Sequence, residues 1–86
     1  MTSPKPGSTL TGSSATFTWT KGNLVTQYDL HVGTTGAGSS NIFGGTVTGQ
    51  SKTVTGIPTT GGTLYVRLYS FINGAWQYID YTYKEQ

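Results

Sequence analysis

Apolar and polar residues alternate with a period of two along most of the chain, the mark of strands with one buried face. Ala15, Phe17 and Trp19 alternate with Thr16, Thr18 and Thr20, and Tyr28, Leu30 and Val32 alternate with Gln27, Asp29 and His31. A short run at 8–10, weaker ones at 42–48 and 51–55, and two long ones at 63–72 and 75–84 complete the set. Turn chemistry separates them: Gly12-Ser13-Ser14, Lys21-Gly22-Asn23, a Gly/Ser/Thr loop from 33 to 41, and Gly61-Gly62. Seven strands, at 8–10, 15–20, 26–32, 42–48, 51–55, 63–72 and 75–84, predict an all-β, seven-stranded antiparallel β-sandwich.

Asn73-Gly74 is the most informative dipeptide. Between two alternating runs it signals a two-residue hairpin, because both loop positions need positive φ and these residues tolerate it. The register then follows: Phe71 faces Trp76, Tyr69 faces Tyr78, and Arg67 faces Asp80. Leu64, Val66, Leu68, Ile79, Tyr81 and Tyr83 form one face, expected to be the core face; Tyr65, Arg67, Tyr69, Phe71, Trp76, Tyr78 and Asp80 form the other. A slip of one residue would bury Arg67 and Asp80, so the register is well specified. The expected core is Phe17, Trp19, Tyr28, Leu30, Val32, Val54, Leu64, Val66, Leu68, Ile79 and Tyr81.

Composition narrows the class. Charged residues are only 9% of 86 and aromatics 13%, the reverse of a disordered chain. The net charge of +2 comes from basic residues spread singly at Lys5, Lys21, Lys52, Arg67 and Lys84. Without a basic cluster no nucleic-acid partner is expected. The absence of Cys excludes disulfides, thiolate metal sites and cysteine nucleophiles. No apolar run is long enough for a membrane helix, and no secretory leader pattern opens the chain, so no membrane partner is expected. Residues 1–7, with Pro4-Lys5-Pro6-Gly7, read as a linker ahead of a single module at 8–84, the expected setting being a longer protein with neighbouring domains.

The chain resembles fibronectin type III-like modules of secreted bacterial proteins. The carrying residues are Thr16-Phe17-Thr18-Trp19-Thr20, then 25–32, then Val54-Thr55-Gly56-Ile57-Pro58 running into Tyr65-Val66-Arg67-Leu68-Tyr69-Ser70. The family's corner tyrosine aligns with Leu64, and Tyr65 comes one residue later on the opposite face. The resemblance implies an immunoglobulin/fibronectin III-like sandwich, an extracellular or cell-surface location, and no catalysis. Members of the family act as spacers, as protein-binding units, or as glycan-binding accessories to hydrolases.

Candidate chemistry is sparse. His31 is the one histidine; with Asp29 and Asp80 it falls short of a structural metal site's ligands, and no metal or cofactor is expected. The resemblance implies that the strands of Asp29 and Asp80 flank the same neighbour, which makes them candidates for a carboxylate pair about two strand spacings, ~9.6 Å, apart. That is close to the separation in inverting glycosidases. Arg67 lies between them, however, so an Arg67–Asp80 ion pair is the expected role, and the chain reads as a non-enzyme. Gly36-Ala37-Gly38-Ser39-Ser40-Asn41 lacks the third glycine and the helix of a dinucleotide loop.

The sharper feature is aromatic. Tyr69, Phe71, Trp76 and Tyr78 form two opposed pairs on the face away from the core, beside Arg67, Asp80, Asp29 and His31. Ring faces with neighbouring hydrogen-bonding groups suit a polysaccharide or other glycan, which makes these eight residues the candidate ligand-binding set. Two alternatives remain: opposed rings stabilise an exposed sheet by themselves, and large apolar patches also mark contacts between proteins. The expected function is an accessory binding module, most simply for polysaccharide; the alternative is a spacer or protein-interaction module without a ligand of its own.

Overall fold

A computed structural model describes residues 1–22 and 24–86. The six strands are β1 (Ala15–Thr18), β2 (Val25–Gly33), β3 (Phe43–Val47), β4 (Ser51–Val54), β5 (Thr63–Ile72) and β6 (Ala75–Lys84). They form two antiparallel sheets: β1 paired with β4, and a four-stranded sheet in the order β3-β2-β5-β6. The described residues contain no helix. The expected turn at 21–23 includes Asn23, which lies outside the described residues.

Side chains from both sheets meet in one core. Phe17 and Val54 from the small sheet, and Leu30, Val32, Leu64, Val66, Leu68 and Tyr83 from the large one, are nearly or fully buried. Phe17 and Tyr83 meet edge-on across the layers at 5.5 Å, and Trp19 tilts against Tyr28 at 5.7 Å. Leu10, Val47 and Ile57 complete the cluster from segments whose sequence pattern is too weak to point inward. Burial of these side chains is the main driving force for a chain with so little charge.

Two expectations need correcting. The sequence pattern predicts seven strands, but the run at 8–10 contributes only an isolated parallel bridge between Thr9 and Lys84. Its two backbone bonds, Leu10 N–H to the Lys84 carbonyl and Lys84 N–H to the Ser8 carbonyl, both centre on one residue. A segment held between the turn at Pro6-Gly7 and the bend at Gly12-Ser13 is too short to extend that ladder. The second correction is Ile79, expected in the core and 60% exposed, with Tyr81 only half-buried. Strands of ten residues run about 33 Å, whereas the four-residue strands β1 and β4 span about 13 Å. The small sheet therefore covers only part of the large one, and among the described residues Ile79, on the inner face of β6 towards the hairpin tip, is left uncovered.

Residues 1–7 lie along the molecule. Thr2 and Ser3 bond to the backbone of Thr18, Gly7 N–H donates to the Thr82 carbonyl, and the Tyr83 hydroxyl donates to the Pro4 carbonyl.

Candidate functional site

The β5–β6 hairpin positions the site. Asn73 and Gly74 have φ of 54° and 82°, the two left-handed positions of a type I′ turn. Every pair from Ile72–Ala75 to Thr63–Lys84 forms in the predicted register, including Phe71–Trp76, Tyr69–Tyr78 and Arg67–Asp80. On the other flank of β5, β2 sets Gln27 opposite Phe71, Asp29 opposite Tyr69, and His31 opposite Arg67. The side-chain period of two then brings all eight candidate residues to one face, away from the core.

Arranged by row, that face reads Gln27–Phe71–Trp76, then Asp29–Tyr69–Tyr78, then His31–Arg67–Asp80. Trp76 is 46% and Tyr78 55% exposed, and Tyr69 and Phe71 are half-buried beside them. The rings are close but not coplanar. Phe71 and Trp76 lie 4.9 Å apart at 55°, Tyr69 and Tyr78 5.6 Å apart at 54°, and Tyr69 meets Trp76 edge-on at 89°. His31 adds an edge contact to Tyr69 at 5.0 Å. The strip is ribbed, with each ring offering its own face or edge.

Arg67 ties the polar row together. Its Nε donates to Asp80 Oδ1 at 2.6 Å, its Nη2 to Oδ2 at 3.0 Å, and its Nη1 to the Tyr69 hydroxyl at 3.3 Å. The Tyr78 ring lies 3.9 Å from the guanidinium carbon, in cation–π contact. Hydrogen bonding to Asp80 pushes the Arg67 pKa up, and the same bonds hold the Asp80 carboxyl below its ordinary value. The loop between β2 and β3 closes this end of the strip. Gly38 adopts φ +83°, a left-handed conformation that favours glycine, and a Cβ there would come within 2.9 Å of Arg67 Nη1, so a larger residue would also push the guanidinium aside.

Asp29 and Asp80 do not lie directly across β5 from each other. They sit in different rows as well as two strands apart, which places their backbones on the order of 12 Å from each other. Asp80 is committed to Arg67, and Asp29 Oδ2 lies 3.8 Å from His31 Nε2 while its Oδ1 is buried without a hydrogen-bond partner among the described residues. Among the described residues no cluster of three His, Cys, Asp or Glu side chains is arranged to hold a metal.

One polar residue escaped the sequence reading. Glu85 is buried, and its Oε1 accepts from the Thr60 hydroxyl and the Gly62 N–H. Placed after the last alternating run, it carries no periodic signal. It ties the chain's final residues to the turn before β5, away from the aromatic face.

Fold and site together define an all-β protein of two facing antiparallel sheets with an exposed aromatic strip on one of them. Comparison with known proteins finds no matching family, curated protein or solved structure.

Proposed function

We propose that the chain is a non-catalytic, fibronectin III-like binding module of an extracellular bacterial protein that takes a polysaccharide on the strip of Phe71, Trp76, Tyr69 and Tyr78. The strand order supports the architecture: β2, β5 and β6 form a three-strand set like one sheet of an immunoglobulin-type sandwich, opposite β1 and β4. The observation that carries the reading is the exposure of Trp76 and Tyr78 above a locked Arg67–Asp80 pair. Rings held at fixed angles by tight packing lose little freedom when a sugar stacks on them. Asp29, His31 and the outer groups of Arg67 and Asp80 border the strip as hydrogen-bonding partners for hydroxyls.

Affinity electrophoresis through gels cast with plant, algal and bacterial polysaccharides tests this. At least one polysaccharide retards the wild type, and Trp76→Ala abolishes the retardation while losing ~1 kcal/mol of stability or less, the scale of one cross-strand pair. If no polysaccharide retards the wild type, or Trp76→Ala keeps its retardation, the glycan reading fails. The spacer or protein-interaction reading then stands in its place, and the mutual inclination of the rings, which denies a sugar chain one flat platform, favours it.

A further inference from the structure

The second exposed feature of the hairpin is its edge. β6 ends the four-stranded sheet, and residues 7–10 cover it only at Thr82 and Lys84. Those bonds also show which backbone groups point outward. In an antiparallel ladder the residues facing the neighbour alternate with those facing away. With Thr82 and Lys84 facing away, so do Asp80, Tyr78 and Trp76. The stretch 75–81 therefore presents the N–H and C=O groups of these three residues to solvent, with no partner strand among the described residues.

Natural edges of this kind are blunted by lysine, proline, a bulge or a covering segment. Here the covered end contains Lys84, while the open stretch reads Ala75-Trp76-Gln77-Tyr78-Ile79-Asp80-Tyr81 with none of these devices. Its single charge, Asp80, is already neutralised by Arg67 within its own sheet. Three of the four large exposed hydrophobics of the chain, Trp76, Tyr78 and Ile79, sit on this stretch, on both of its faces.

We infer that a second copy of this chain occupies the open edge, β6 pairing antiparallel with β6 about a two-fold axis at Tyr78. The register is self-consistent. The open stretch is centred on Tyr78, so the symmetric pairing sets Ala75 opposite Tyr81, Trp76 opposite Asp80, Gln77 opposite Ile79, and Tyr78 opposite itself. No charge meets its like, because Asp80 faces Trp76 rather than the second Asp80. The outward backbone groups of Trp76, Tyr78 and Asp80 fall into hydrogen-bonded pairs, and two four-stranded sheets become one of eight. A two-fold contact of this kind closes on itself and makes a dimer rather than a fibre. Its area sets its strength. With ~150–250 Å² for a whole aromatic side chain, Trp76, Tyr78 and Ile79 offer about 300 Å² per copy. That is about 600 Å² for the two copies together, and even with the backbone added it lies below the ~1,200–2,000 Å² total of stable complexes, so the dimer is reversible.

Sedimentation across a micromolar-to-millimolar series is the test. The mean mass rises with concentration from 9.1 kDa towards twice that value. A mass that stays monomeric to ~1 mM, well past weak-complex affinities, overturns the proposal and leaves the edge to a strand of some other protein. The double variant Gln77→Lys with Ile79→Lys sets four ammonium groups across the axis while changing only exposed positions on the face of β6 away from Trp76 and Tyr78. It stays monomeric over the series with its thermal midpoint unchanged; dimerisation equal to the wild type rules this edge out. Because the variant leaves the aromatic strip intact, polysaccharide retardation is read on it separately. The register has its own check. The chain contains no Cys, so Tyr78→Cys creates one thiol next to its symmetry mate, at the ~5.5 Å Cα spacing that a disulfide spans. Mild oxidation links this variant into a covalent dimer and leaves Thr55→Cys, on an exposed site outside β6, monomeric. Equal cross-linking of both, or of neither, overturns the register.

Discussion

Tyr83 shows how one residue joins fold and solvent conditions. Its ring is buried against Phe17 and its hydroxyl donates to the Pro4 carbonyl. Burial pushes its pKa up from the ordinary 10.0 to about 12, with a smaller push from Tyr81. A phenol raised in the folded state contributes stability that is complete below pH 10 and is lost as pH climbs through about 12. Denaturant midpoints measured between pH 8 and 12 are expected to fall across that upper window. Tyr83→Phe keeps the ring but not the hydroxyl, so it starts lower by about 1 kcal/mol for the lost hydrogen bond and falls less at high pH. An equally steep alkaline limb in the variant would assign the titration elsewhere. The Arg67–Asp80 pair differs in kind. It is geometrically strong, yet Asp80 is 39% exposed, so solvent screening keeps its worth near the ~1 kcal/mol or less of a surface pair. Its effect on the site is to hold Tyr69 and Tyr78 in place.

At the scale of elements, the hairpin is where sequence and structure agree most closely. Asn73-Gly74 sets the turn, the turn sets the register, and the register puts Leu64, Val66 and Leu68 inward and the aromatic strip outward. All of this is local: two backbone dihedral preferences and a period of two decide it. Gly74 at φ 82° is the sensitive position, and Gly74→Ala is expected to cost about 1 kcal/mol, read as a lower urea midpoint at unchanged slope. Asn73→Gly is expected to be near neutral, since glycine also adopts that φ. A neutral Gly74→Ala would mean that the loop is not type I′. The run at 8–10 shows the limit of the same logic, because Leu10 is buried but the run's ladder partner is a single residue at the far end of β6. Three residues carry too little pattern to reveal whether they extend a sheet or cap its edge.

The whole molecule measures 39 × 21 × 18 Å, long in one direction because the large sheet outruns the small one. This asymmetry makes a paired prediction. Trp19, 3% exposed against Tyr28, belongs to the core between the sheets, and Trp19→Ala is expected to cost ~3–5 kcal/mol, enough to unfold so small a domain near room temperature. Ile79→Ala, at a position that alternation alone places in the same core, is expected to shift stability by ~0.5 kcal/mol or less, because that side chain is 60% exposed. Thermal melts of the two variants check both, and comparable losses would mean that the hairpin tip is covered. The sequence by itself determined the all-β class, the strand faces, the hairpin register and the gathering of Arg67, Tyr69, Phe71, Trp76, Tyr78 and Asp80 on one face, since each follows from backbone preferences within a few residues of one another. Only the tertiary structure decided that Ile79 lies bare, that residues 7–10 cover the β6 edge at Thr82 and Lys84, that Glu85 is buried, and that Asp29 and Asp80 fall in different rows. Those outcomes depend on how far one sheet extends over another and on pairings between distant parts of the chain, and neither is encoded in the periodicity of any single strand.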